Sequence, residues 1–240
     1  MPRRPRLRIA GLPAHVIQRG NNRGPCFFAD DDYQSYLHHL GLLAREYECA
    51  VHAYVLMTNH VHLLLTPRKA DGVSLLMKHL GQRYVQFVNR IYRRSGTLWE
   101  GRFRSSLVQT ETYFLRCQRY IECNPVRAQM VRHPAQYCWS SFGANGEGKA
   151  SALITAHAEY LALGGDAVSR RIAYLELFRS ELEEPDLREI RGAANGSYAL
   201  GAERFVKEIE RMTGRRATAG KPGRPALERR AEQARQNEMF

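Results

Sequence analysis

Apolar positions along the first half of the chain switch repeatedly between a two-residue and a 3.6-residue period. His15-Val16-Ile17-Gln18-Arg19 alternates as a strand does and runs into Gly20-Asn21-Asn22-Arg23-Gly24-Pro25, a run of turn formers. Asp30-Asp31-Asp32 offers N-cap candidates for a helix to Tyr47, with Tyr33, Tyr36, Leu37, Leu40 and Leu43/Ala44 on one face. Cys49 to Met57 is rich in strand formers, Thr58-Asn59 reads as a tight turn, and Val61 to Thr66 as the partner strand. Ser74 to Arg94 predicts a long helix, apolar at Leu76, Leu80, Tyr84, Phe87, Val88 and Ile91. A short strand at 106–109 and a helix from Thr112 follow. The first six elements of this β-α-β-β-α-β-α order match the ferredoxin-like βαββαβ arrangement. The expected class is therefore α+β: an antiparallel sheet with helices on one face and an extra C-terminal helix.

After Pro134 the pattern turns helical, with segments near 154–163, 167–183, 186–193 and 199–212 behind a glycine-rich linker at 143–148. The acidic run at 176–189 reads as a solvated helical face. The expected division is a first domain at 1–141, a helical extension at 150–212, and a basic tail at 213–240. Gly, Pro and Arg dominate that tail, so it is expected to be poorly ordered.

Composition adds a partner class. With 44% hydrophobic and 25% charged residues, the 240-residue chain is neither fibrous nor mostly disordered. Lys and Arg number 36 against 24 Asp and Glu, a net charge of +12 that attracts polyanions, nucleic acid first and an anionic membrane second. No apolar run approaches the roughly 18 residues of a membrane span, and the basic Pro2–Arg8 stretch lacks the hydrophobic segment of a secretory signal. Five cysteines, odd in number and without C-x-x-C spacing, argue against a disulfide framework or a zinc knuckle. A cytoplasmic protein without a membrane partner is the expectation.

Two short stretches carry candidate chemistry. In Asn59-His60-Val61-His62-Leu63-Leu64-Leu65, strand alternation sends His60 and His62 to one face and Val61 and Leu63 to the other. Two imidazoles about 7 Å apart on one face can share a divalent ion. They can equally decorate a half-exposed strand, and seven further histidines (His15, His38, His39, His52, His79, His133, His157) are scattered along the chain. In Tyr120-Ile121-Glu122-Cys123-Asn124-Pro125-Val126-Arg127-Ala128, Tyr120 and Asn124 are helical neighbours, and Pro125 bends or ends the helix there. Tyr113 and Cys117 share that stripe, which by itself also reads as plain core.

Together the two stretches resemble the single-tyrosine HUH transposases, and more closely the REP-associated tyrosine transposases. The resemblance runs from about Pro13 to Ser141. It includes His15-Val16 with Arg19-Gly20-Asn21, Val51-His52-Ala53-Tyr54 leading into Asn59–Leu64, Gly96–Phe103, Tyr120–Ala128 and Trp139-Ser140-Ser141. It implies that Tyr120 is the nucleophile attacking a DNA phosphodiester and keeping the 5′ phosphate. It also implies that His60, His62 and Asn124 hold Mg²⁺ or Mn²⁺. Such an ion suits the chemistry, because a phenol of pKa about 10 is a poor nucleophile and the phosphodiester repels an anion. Imidazole ligands favour Mn²⁺ over Mg²⁺ in affinity.

The chain departs from the family pattern at Met57-Thr58-Asn59-His60, where a proline usually stands at 58, and at Glu122, where a histidine is usual. Two residues from Tyr120 on a helix, Glu122 is expected at the surface; a helix distorted by Pro125 would let it reach the ion instead. Arg102, Phe103 and Arg104 combine charge with a stacking ring, as single-strand binding needs, although a partly buried Phe103 between solvated arginines fits as well. Arg3, Arg4, Arg6, Arg19 and Arg224 are further candidate phosphate contacts, and Arg127 either joins them or pairs within the fold. Trp99 reads as core. The implied function is metal-dependent single-stranded DNA cleavage and strand transfer on hairpins of palindromic repeats, by a monomer or homodimer. The alternative is a non-catalytic hairpin-binding or regulatory protein of the same fold.

Overall fold

Residues 5–219 are described by a computed structural model. The elements are β1 (Ala14–Arg19), α1 (Asp30–Glu46), β2 (Cys49–Met57), β3 (His60–Pro67), α2 (Gly72–Ile91), β4 (Arg104–Val108) and α3 (Phe114–Glu122). They continue as α4 (Asn124–Arg127), α5 (Phe142–Asn145), α6 (Ala158–Leu161), α7 (Ala167–Glu176), α8 (Glu184–Gly196), β5 (Ala199–Leu200) and α9 (Glu203–Thr213). Strand order in the sheet is β2-β3-β1-β4-β5. The pairings β1–β3, β1–β4 and β2–β3 are antiparallel, so the expected α+β class and ferredoxin-like order are borne out.

Local chemistry explains the first elements. The Asp32 carboxylate, inside the first turn of α1, accepts the N–H groups of Phe28 (2.7 Å) and Ala29 (3.0 Å), so the acidic run does start this helix. The turn after β1 requires glycine at position 20, where an added Cβ would lie 2.2 Å from the Gly24 carbonyl oxygen.

Alternation along β3 places Val61, Leu63 and Leu65 in one apolar cluster, together with Tyr36, Leu40, Leu80 and Tyr84 from α1 and α2. Leu64 belongs to a second cluster with Val55, Phe114, Cys117, Tyr120 and Ile121, on the α3 side. Helices on one face was thus half of the arrangement; this sheet is covered on both, and the second layer holds α3 and α8.

The C-terminal half differs most from its pattern. Residues 199–200 form β5, which pairs parallel with β4, rather than the start of a helix. Of the other helices, 158–161 and 167–176 are shorter than the pattern suggested and 184–196 is longer. Segment 143–148, read as a linker, begins inside α5, and its Asn145 is only 4% exposed. Leu187, Ile190 and Ala193 of α8 fill the second cluster. Arg116 of α3 meets Asp186 of α8 at 3.1 Å, and Arg119 donates to the Ser180 carbonyl at 2.6 Å, so this half clamps the helix that carries Tyr120. No described helix is long and apolar enough to cross a membrane.

Candidate active site

Antiparallel register fixes which side chains share the α3 face of the sheet. Ile17 of β1 stands opposite His62 on one side and Arg104 on the other, while Arg19 stands opposite His60. Directly opposed residues project to the same side, so His60, His62, Arg19 and Arg104 share this face with His15. Tyr120 descends onto it from α3. Its ring centre lies 5.8 Å from that of His62 and 5.8 Å from that of His15, edge-on to both.

The two strand histidines come closer than backbone spacing suggests, with ring centres 5.1 Å apart. Each has one nitrogen engaged. Nδ1 of His60 lies 2.6 Å from Oδ1 of Asn59, and Nδ1 of His62 lies 2.8 Å from Nε2 of His15. Burial holds all three rings neutral at pH 7. It pushes His15 down to about 3 with help from Arg127, His60 to about 4 with help from Arg19, and His62 well below its ordinary value.

Neutral imidazoles are the form a cation binds. The engaged nitrogens are both Nδ1, so Nε2 of each ring is the nitrogen these contacts do not use. Two imidazoles sharing a cation at about 2.1 Å have ring centres roughly 5 Å apart, which the observed separation matches. Among the described residues no three His, Cys, Asp or Glu side chains form a metal cluster. The described residues thus present two histidine rings on one sheet face, an open set and not a closed structural site.

Asn124, the expected third ligand, does not lie on the same helix as Tyr120. α3 ends at Glu122, Cys123 takes φ −83° and ψ 2°, and α4 starts at Asn124 with Pro125 in its first turn. Pro125 has no N–H and cannot continue the ladder. Arg127 bridges the break: its guanidinium lies 4.2 Å from the Tyr120 ring centre and donates to the Tyr120 carbonyl. Arg127 thus pairs within the fold, one of the two roles left open for it.

Glu122 is a correction. It is fully buried, not on the surface, and both of its carboxylate oxygens are engaged away from the histidine pair. Its carboxylate accepts from Ser141 Oγ (2.6 Å), Asn145 Nδ2 (2.8 Å) and Tyr174 Oη (2.7 Å). Burial raises its pKa to about 7 against the lowering effect of these three donors. The polar residues at 141, 145 and 174 carried no periodic or motif signal of their own.

Phe103 follows the second of its two readings, a ring buried beside arginines. It belongs to the apolar cluster on the α1/α2 side, and Arg6 lies 3.6 Å over its ring while donating to its carbonyl at 2.9 and 3.0 Å. That face of the ring is covered by Arg6, so it offers little to a base. Arg102 and Arg104 line a cavity of about 270 Å³ with Arg6 and residues 195–198, and Arg104 donates to Asn195 Oδ1 at 2.9 Å. Arg19 is exposed beside His60. Trp99 is core, at 4% exposure. Arg3, Arg4 and Arg224 lie outside the described residues. His15 and Asn59, each in contact with one histidine of the pair, are not among the site residues the sequence suggested. The one available signal was that His15 shares strand parity with the face that His62 occupies across the register.

Residues 9–124 match the profile of the family described as IS200-like transposases. A solved REP-associated tyrosine transposase bound to a REP hairpin aligns with 65% of this chain and 93% of its own, at 18% identity and a TM-score of 0.54. A Deinococcus radiodurans R1 protein described as a transposase aligns over 50% of this chain and 96% of its own, at 24% identity and a TM-score of 0.36. No curated protein matches. The resemblance to this transposase family is borne out over residues 9–124, and the solved REP-associated structure shares the fold.

Proposed function

From the premise of an IS200-like transposase domain at residues 9–124, we propose a metal-dependent single-stranded DNA endonuclease and strand transferase that acts on hairpin-forming palindromic repeats. The observation that carries this reading is the Tyr120 ring edge-on to His62, on the sheet face that presents the paired nitrogens of His60 and His62.

Tyr120 Oη attacks the scissile phosphorus as the bond to the 3′ oxygen breaks. The phenolic proton ends on that leaving oxygen, giving a free 3′ hydroxyl and a 5′-phosphotyrosine. Attack by another 3′ hydroxyl reverses the step and joins a new strand. His60 and His62, with Asn124, would hold Mg²⁺ or Mn²⁺, which when bound neutralises phosphate charge and orients it. Arg127 fixes the tyrosine ring, and the sheet supplies a rigid floor. Arg19 and Arg104 border the site with positive charge suited to flanking phosphates.

Incubation with labelled single-stranded hairpins and Mn²⁺ should give a covalent protein–DNA adduct with the wild-type chain. Tyr120→Phe should bind the hairpin equally and form none. An adduct with Tyr120→Phe would move the nucleophile elsewhere, Tyr113 first. Hairpin binding with no adduct from the wild type would favour a non-catalytic binding protein.

A further inference from the structure

His15 is fully buried, and its Nε2 sits 2.8 Å from Nδ1 of His62 with the two ring planes 18° apart. Two neutral imidazoles in such a contact share one proton, so one nitrogen donates and the other accepts. If His15 donates, the proton of His62 stands on Nε2 and that atom cannot bind a cation. If His15 accepts, His62 carries its proton on Nδ1 and Nε2 is open, while His15 carries its own on Nδ1. That Nδ1 is buried without a hydrogen-bond partner, so neither arrangement satisfies His15 completely. An orphaned polar atom in a buried strand position that an apolar residue could fill calls for a functional reason.

His60 supplies the comparison. Asn59 Nδ2 donates to the Arg23 carbonyl at 3.1 Å, which turns its Oδ1 toward His60 Nδ1 at 2.6 Å. An amide oxygen only accepts, so His60 carries its proton on Nδ1 and presents Nε2. A partner that holds the far nitrogen of each ring is the arrangement expected of metal-ligating histidines. A histidine pair that merely decorates a strand has no need of it.

We infer that His15 is the positioning residue of the candidate metal centre: its Nε2 accepts the Nδ1–H of His62 and keeps Nε2 of His62 open for a divalent cation. The inference rests on the metal-centre reading above, and the experiment separates the two. Mn²⁺ binding to the full chain without DNA is measured by the loss of the free-ion paramagnetic signal, alongside thermal melting. His15→Phe keeps a ring against His62 and Tyr120 but removes the acceptor. Its Mn²⁺ dissociation constant should rise about 10–100-fold. His15→Gln, whose amide oxygen can accept, should recover most of that loss.

A merely structural role would lower the melting temperature in both variants without this split. Mn²⁺ binding by His15→Phe as tight as the wild type overturns the inference alone. Absence of Mn²⁺ binding by the wild-type chain overturns the metal-centre reading and this one with it. Should His15→Phe fail to fold, His15→Met against His15→Gln carries the same comparison, and equal affinities there overturn the inference.

Discussion

Arg127 lies over the ring of Tyr120 and donates to the carbonyl of that same residue, across the break between α3 and α4. One side chain therefore fixes both the ring and the helix end that carries it. A misplacement of about 1 Å at a reacting atom can cost about 100-fold in rate. Arg127→Met should lower the single-turnover rate of adduct formation by about 10–100-fold while hairpin affinity stays within a small factor. Arg127→Lys should not restore it, because an ammonium neither stacks flat on the ring nor forks to the carbonyl. A parallel loss of hairpin affinity would instead mark Arg127 as a phosphate contact.

Glu122 accepts three hydrogen bonds inside the protein, one of them from Tyr174 of α7. Removing a buried acceptor orphans its donors, at about 1–3 kcal/mol each before relaxation. Glu122→Ala should therefore cost on the order of 3–5 kcal/mol, and Tyr174→Phe about 1–2 kcal/mol. In melting temperature the first amounts to a fall of roughly 6–20 °C for a chain of this size. A Glu122→Ala protein that melts like the wild type would return Glu122 to the surface role its sequence position suggested.

His52 carries a pH dependence whose sign is definite. It sits at a bulge in β2, with Nδ1 2.7 Å from the Thr155 carbonyl and Nε2 2.8 Å from Thr66 Oγ1. Burial lowers its pKa from 6.5 to about 4, with His157 adding to the effect and the Thr155 carbonyl opposing it. The unfolded chain thus binds more protons between those values. The stability held by His52 is complete above pH 6.5 and is lost as pH falls toward 4, up to about 3 kcal/mol. Glu122, raised by burial, acts in the opposite direction, with stability lost as pH rises from 4.5 toward 7. Comparison with His52→Gln removes that background. The variant should be less stable at pH 7.5 yet lose less on moving to pH 4.5. Parallel melting curves for both proteins across that range would exclude the role.

Legibility in the sequence followed the kind of signal each residue carried. β1 to α3 could be read because their apolar faces repeat at 2 or 3.6 residues, and the parity of β3 correctly sent Val61 one way and His62 the other. His60 and His62 were legible because they lie on one strand. His15 was not, because strand register sets it diagonally across from His62, 47 positions away in sequence. Glu122 was misplaced for a related reason. Helical spacing put it away from Tyr120, but the far side of α3 is covered by Ser141, Asn145 and Tyr174, all brought there by tertiary packing. β5 is two residues long, below any periodic signal, and it extends the sheet only because β4 offers an edge.

Charge at the sheet face gives the last prediction. Arg104 projects from the face that holds His62, one strand beyond Ile17, while Arg6 covers Phe103 near the opposite cluster. If hairpin DNA lies across the Tyr120 face, each arginine that meets a phosphate there contributes about one unit to the slope of log affinity against log salt. Arg104→Ala and Arg19→Ala should each flatten that slope by about 1 and weaken binding at low salt more than at high salt. Arg6→Ala should instead lower stability, through the lost contact to Phe103, and leave the salt slope nearly unchanged. Fluorescence anisotropy with a labelled hairpin at three or four salt concentrations measures all three. An unchanged slope for Arg104→Ala with a flattened one for Arg6→Ala would place the DNA on the other side of the sheet, away from Tyr120.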